Sequence, residues 1–285
     1  MPRSLRPRRP SAARWPGCDA GSPEALAGLP PAVQRYVAEV TERIISTLGQ
    51  QLVAIYPTGS LALRSYQHGR SDLDLMAITD PIGVGPVTDL VTGLDHRVLP
   101  CPATGLEFVL YPRATVISAE PVVGYLLNLN TGAQLPAKVS RNAADDEAYW
   151  YVIDRSITYQ ADTALYGPPP RQVMRAMTFE RLLPVVIDSV ASARNPNTDL
   201  LDNAVLNACR SLQFATDQVW QAKLPAAQGT ATQMPEFKAL IDSAIDAFRH
   251  GRQGGRSLSA SAVVAFQDEV LRRIRDIAAH PRDLD

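Results

Sequence analysis

The chain has 285 residues, 46% of them hydrophobic and 20% charged, with a formal net charge of -1. That length suits one large or two moderate domains with a sizeable core, and the charge balance argues against a strongly basic nucleic-acid binder and a disordered acidic chain. Apolar stretches such as Leu182–Ile187 stop far short of the ~20 residues that span a bilayer. Cys18, Cys101 and Cys209 form no CxxC, so a disulfide framework and a Cys-rich zinc site are both disfavoured, and a reducing, cytoplasmic setting is expected.

Residues 1–30 carry five arginines and six prolines, with no acid before Asp19. They lack the apolar run of a secretory signal and are expected to be a disordered Arg/Pro-rich tail outside the folded part. From Pro31, Val33, Tyr36, Val37, Val40, Ile44, Ile45 and Leu48 recur at helical spacing, and Gly49 stops the pattern. Leu52–Tyr56 reads as a buried strand closed by Pro57, Thr58 and Gly59; Leu61–Tyr66 as one or two helical turns; Asp72–Thr79 as a second strand. Val87–Val98 has a helical pattern, and Gly105–Tyr111 alternates as a third strand.

Asp145–Gln160 is read as a helix with Trp150, Ile153 and Ile157 on one stripe. Gly167-Pro168-Pro169-Pro170 is the clearest punctuation in the chain and sets a boundary. Beyond it strand signals cease, and helices are expected near 172–193, 199–222, 234–250 and 259–279. The expected fold is α+β: a small mixed sheet with helices over 31–170, followed by an all-α helical bundle over 171–285.

The chemistry concentrates in Gly59-Ser60 and, after eleven intervening residues, Asp72-Leu73-Asp74. Two positions apart on a strand, Asp72 and Asp74 leave the same face, while Leu73 and Leu75 enter the core. Two close carboxylates repel, and a shared divalent cation relieves this. Mg²⁺ takes one or two carboxylates together with substrate phosphates. Gly59, lacking a Cβ, lets a phosphate approach, and Ser60 with amides at the start of a helical turn can hold phosphate oxygens. Glu107 sits in the apolar strand Leu106–Tyr111, a costly place for an acid without a partner. If that strand lies beside Asp72–Thr79, Glu107 shares the metal site or takes a proton from an attacking hydroxyl.

Gly59-Ser60…Asp72-Leu73-Asp74 resembles the signature of the nucleotidyltransferase superfamily built on the DNA polymerase β-like palm. Tyr149–Asp154, Leu165–Pro168 and Asn203–Arg210 are similar to the aminoglycoside 3″-adenylyltransferases that modify streptomycin and spectinomycin. The resemblance covers roughly residues 31–250. It implies Mg²⁺-dependent transfer of AMP from ATP to a drug hydroxyl, with pyrophosphate released. It also implies that Arg210 and Lys223, thirteen positions apart, contact ATP from the helical domain. Asp72, Asp74 and Glu107 are then catalytic and metal-binding, and Gly59 and Ser60 nucleotide-binding. The expected partners are ATP and a small hydroxyl-bearing acceptor, with neither nucleic acid nor membrane, and the protein is expected to be a monomer. Two features depart from the family pattern. Arg64 stands where relatives commonly have glycine, and residues 192–202 lack the aromatic of the streptomycin pocket. Asp199 and Asp202 can attract a cationic acceptor, although capping of a helix N-terminus explains them more simply. The competing readings are a protein-directed nucleotidyltransferase of the toxin–antitoxin type and a non-catalytic nucleotide binder.

Overall fold

The computed structural model describes residues 26–193, 200–250 and 258–280. Asp199 and Cys18 lie outside the described residues, as does most of the Arg/Pro-rich tail. Leu26 and Leu29, at the end of the stretch set aside as tail, pack against the first core, and Gln34 Nε2 donates to the Leu29 carbonyl at 2.8 Å.

Helix α1 (Pro31–Leu48) starts with proline at its first position, where a missing N–H costs nothing. Its apolar stripe lies on a five-stranded sheet of order β1-β2-β3-β4-β5. The strands are β1 (Leu52–Pro57), β2 (Leu73–Thr79), β3 (Leu106–Pro112), β4 (Leu127–Thr131) and β5 (Lys138–Ser140). β2 and β3 are parallel, and the other neighbours are antiparallel. The four-residue turn α2 (Gly59–Ala62) follows β1, α3 (Val84–Leu94) crosses from β2 to β3, and α4 (Arg113–Val116) follows β3. One sheet face, with Leu73, Leu75, Leu106 and Phe108, is covered by α1 and α3. The other, with Tyr56, Met76, Ile78 and Tyr111, receives Tyr151 from α5 (Ala148–Ala161).

After α5 the chain returns along β1, where the Ile55 N–H donates to the Tyr166 carbonyl at 2.9 Å. Gly167 has φ +80, and a Cβ there would strike the Val53 carbonyl, so this close return requires glycine. Then come α6 (Pro170–Val173), α7 (Phe179–Ser192), α8 (Leu201–Asp217), α9 (Lys223–Gln233), α10 (Lys238–His250) and α11 (Ala260–Ala279). The fold is thus a five-stranded mixed sheet with helices, followed by a helical region, as the sequence suggests. No helix among the described residues is long and apolar enough to cross a membrane.

Several elements differ from the sequence reading, and the helix expected near 172–193 is divided into α6 and α7. α3 spans Val84–Leu94 and not 87–98, because Asp95 leaves the helix and its carboxylate accepts from the Arg97 N–H at 2.8 Å. The early turn begins at Gly59 and not Leu61. The helix expected over 199–222 ends at Asp217, and Lys223 opens the separate helix α9. Strands β4 and β5 lie in a region to which no element was assigned.

Candidate active site

The parallel register of β2 and β3 sets Asp74 opposite Glu107. Asp72 immediately precedes β2, and one carboxylate oxygen from each of Asp72, Asp74 and Glu107 lies within 4.8 Å of the others. The expected convergence of Glu107 with the Asp pair therefore occurs. Asp74 and Glu107 alternate with Leu73, Leu75, Leu106 and Phe108 of the core under α1, so they rise on the opposite sheet face.

Gly59 lies against the second of these acids. Its φ is +51, and a Cβ would overlap Asp74 Oδ2, so glycine is required both for the backbone and for the contact. The Thr58 N–H donates to the Asp74 carbonyl at 2.9 Å, which locks this turn to β2. Thr58 Oγ1 donates to the Asp154 carbonyl at 3.1 Å, and Thr158 Oγ1 to the Pro57 carbonyl at 3.3 Å, so α5 holds the turn from behind. Ser60 Oγ is buried and makes no hydrogen bond within the protein. A buried hydroxyl without a partner is costly, and a bound phosphate oxygen would satisfy it. Arg64 has φ +50, a left-handed backbone that a bulky residue adopts at a cost. This gives a physical reason for glycine at that position in the family pattern.

The sequence reading missed a fourth acid. Asp154 of α5 is half-buried and electrostatically coupled to Asp72, Arg210 and Lys223. Burial pushes its carboxyl up to about 6, opposed by Arg210 and helped by Asp72. Burial, then Asp72 and Asp154, lift Glu107 to about 8. Asp72 is raised by burial, and Asp74 well above its ordinary value by burial and then by Asp72, Glu107 and Asp154. Four crowded acids of this kind need cations.

Two come from the helices. Burial lowers the Arg210 guanidinium, while Asp154 and Asp74 act the other way. Its Cζ lies 5.9 Å from the Trp220 ring centroid. That ring is stacked on Phe214 at 3.9 Å, and its Nε1 donates to Ser156 Oγ at 2.9 Å. Lys223, at the start of α9, is pushed down to about 8 by burial and then by Arg210, against the pull of Asp72, Asp74 and Asp202. Its Nζ donates to Asn203 Oδ1 at 3.3 Å. Both expected cations thus face the acid cluster.

Asp202 lies in the first turn of α8, where an acid is favoured, and it also makes an ion pair. Its side chain is 2% exposed and pairs with Arg70 at 2.6 Å. At the far edge of the site, Asn130 is registered opposite Glu107 and Lys138 opposite Asn130. Lys138 pairs with Asp146, which also accepts from the hydroxyls of Tyr125 and Tyr151 at 2.5 and 2.6 Å.

The acid cluster fits a divalent cation, and the fit has a measurable signature. A buried acid with a raised pKa holds its proton more tightly in the folded chain. Its contribution to stability is full below about pH 4, the unfolded value, and is lost as pH climbs through the folded value. Glu107 and Asp154 place that loss between about pH 4 and about 8. Asp146 does not disturb this window: burial raises it, but hydrogen bonds from Lys138, Tyr125 and Tyr151 bring it to about 2, so its contribution is complete above about pH 4. The metal-free protein is therefore expected to melt at a higher temperature near about pH 5.5 than near about pH 8, with Mg²⁺ raising the melting point more at the higher pH. Calorimetric scans at both pH values, with and without Mg²⁺, check this. An equal Mg²⁺ shift at both would count against a metal bound by these acids.

Comparisons with known proteins agree with this architecture. Residues 172–273 match the family described as aminoglycoside adenylyltransferase, C-terminal domain. The fold is similar to that of spectinomycin adenyltransferase AAD(9) from Enterococcus faecialis, solved with ATP and spectinomycin. The TM-score is 0.63 at 16% identity, over 85% of this chain and 99% of that one. No curated protein matches by sequence.

Proposed function

We propose that this chain, whose residues 172–273 match the family described as aminoglycoside adenylyltransferase, C-terminal domain, transfers AMP from ATP to a hydroxyl of an aminoglycoside or aminocyclitol and releases pyrophosphate. The observation that carries the reading is the convergence of Asp72, Asp74 and Glu107 within 4.8 Å beneath a glycine–serine turn, with Arg210 and Lys223 facing them from the helices. The similarity to an adenyltransferase solved with ATP and spectinomycin supports the substrate class.

Asp72, Asp74 and Glu107 would hold Mg²⁺, which supplies charge neutralisation for the triphosphate and polarises the phosphoryl oxygens. Gly59 leaves room for the Asp74 carboxylate, and the unpartnered Ser60 hydroxyl donates to a phosphate oxygen. Arg210, steadied by the Trp220 ring, and Lys223 balance the oxygens that remain. Glu107 accepts the proton of the acceptor hydroxyl as that oxygen bonds to the α-phosphorus and the bond to the pyrophosphate oxygen breaks. The acceptor enters between the sheet and the helical bundle. Small-molecule sites favour such interdomain clefts.

The test is pyrophosphate release from ATP and Mg²⁺ with a panel that includes spectinomycin, streptomycin and other aminoglycosides. At least one drug is expected to give release above the drug-free rate, with a product heavier than the drug by one AMP. Adenylylation of a protein with no drug modified would move the reading to a protein acceptor.

A further inference from the structure

The segment 67–71 delivers Asp72 to the site, and it is firmly held. Within it, the Ser71 N–H donates to the Gln67 carbonyl at 2.8 Å, and the Gln67 N–H donates back to Ser71 Oγ at 3.1 Å. This closed turn is fastened to the helices at two places. Arg70 Nη2 pairs with Asp202 of α8 at 2.6 Å, with the two side chains 18% and 2% exposed. Arg70 Nε donates to the Phe248 carbonyl of α10 at 3.1 Å, and the guanidinium carbon lies 5.5 Å from the Phe248 ring centroid. Gln67 Nε2 adds a bond to the Arg249 carbonyl at 3.1 Å. Carbonyls in the last turn of a helix lack partners within the helix, so the segment satisfies acceptors that α10 cannot.

The same Phe248 ring carries a second cation. Lys223 Nζ lies 5.9 Å from its centroid and bonds Asn203, the neighbour of Asp202. Arg70 and Lys223 therefore share one aromatic ring and one stretch of α8. Arg70 belongs to the segment that presents Asp72, and Lys223 to the helix that faces it.

We propose that Arg70 is a positioning residue for the nucleotide site. By tying the segment that carries Asp72 to the helices that carry Lys223, it fixes a metal-binding carboxylate and a phosphate-binding cation relative to each other. This rests on the nucleotidyltransferase reading of the site. A buried ion pair is weak evidence for stability, since a well-packed apolar pair often replaces it without loss. What the Arg70 fork supplies is geometry, because its planar donors reach a carboxylate on one helix and a carbonyl on another.

The test separates geometry from stability. The double variant Arg70→Met/Asp202→Leu removes both charges and leaves neither buried alone. It is expected to melt close to wild type, yet to bind Mg²⁺–ATP about tenfold more weakly in titration calorimetry. Its KM for ATP should rise while the KM for the acceptor stays put. Arg70→Lys keeps the charge and loses the fork. It should fall between wild type and the double variant, and it serves if the double variant does not fold. A folded variant of either kind with wild-type Mg²⁺–ATP affinity and an unchanged KM for ATP overturns the proposal. Wild-type protein that binds no Mg²⁺–ATP overturns the reading of the site, and this proposal with it.

Discussion

Asp74→Asn is expected to yield a folded protein that is slightly more heat-stable than wild type and has almost no transferase activity. Both effects follow from its surroundings. Asp74 is packed against Gly59 and crowded by Asp72, Glu107 and Asp154, so its carboxylate is held well above its ordinary pKa. Asparagine keeps the shape and removes the charge, and with it the repulsion that the folded state carries without metal. A gain of about 1 kcal/mol corresponds to about 2–4 °C in a domain of roughly this size. In the proposed mechanism the same charge is a ligand for the cation that would neutralise the triphosphate, a contribution of several kcal/mol. Losing about 4 kcal/mol of it slows turnover by about a thousandfold. Melting curves and pyrophosphate release on one preparation check both halves. Appreciable turnover by a folded variant would remove Asp74 from the mechanism.

Glu107→Gln is the second large effect. Glutamine is nearly isosteric but cannot take the acceptor's proton, and that role is worth about 10²–10⁴ in rate. Glu107 stands opposite Asp74 on the parallel neighbour strand, and burial with Asp72 and Asp154 brings its carboxyl to about 8. Its two assigned roles give different signatures. A base lost alone lowers kcat and removes the rising limb of the pH–rate profile, with the Mg²⁺ requirement unchanged. A ligand lost raises the Mg²⁺ concentration at half-maximal rate. The expected result is a steep fall in kcat with a smaller rise in Mg²⁺ requirement, because Asp72 and Asp74 remain. Turnover near wild type would mean that Glu107 is not the base.

The acids of β2 and β3 were legible because strand alternation alone decides which side chains share a face. The long helices α1 and α8 were legible from their apolar stripes. Other features carried no local signal. The break after α8 is made at Gln218, which adopts φ +57 without being glycine, so the sequence offers no stop. Helix α9 buries Ala226, Ala227, Thr230 and Ala231, small residues that leave little hydrophobic periodicity. Strand β4 alternates Leu127 and Leu129 with Asn128 and Asn130, and asparagine is a poor strand former. It becomes a strand by pairing with β3. Asp154 is one acid beside an apolar helical stripe, and its importance appears only when α5 meets the phosphate turn. Arg70 and Asp202 are 132 positions apart, and no spacing rule reaches that far. The resemblance placed Arg210 and Lys223, while the aromatic supports beneath them came from the fold.

The position of α5 bears on how this protein can be divided. Its Tyr151 belongs to the core beneath the sheet, and its Val152, Ile153 and Ile157 belong to the core of the helical bundle, which also takes Ala62 from the phosphate turn. The compositional break at Gly167–Pro170 therefore follows a helix that packs into both cores. A chain cut there would expose the apolar side of α5, and the strip holding Thr58 and Pro57 in place would lose its backing. The sheet and the helices are therefore expected to unfold together, in a single transition.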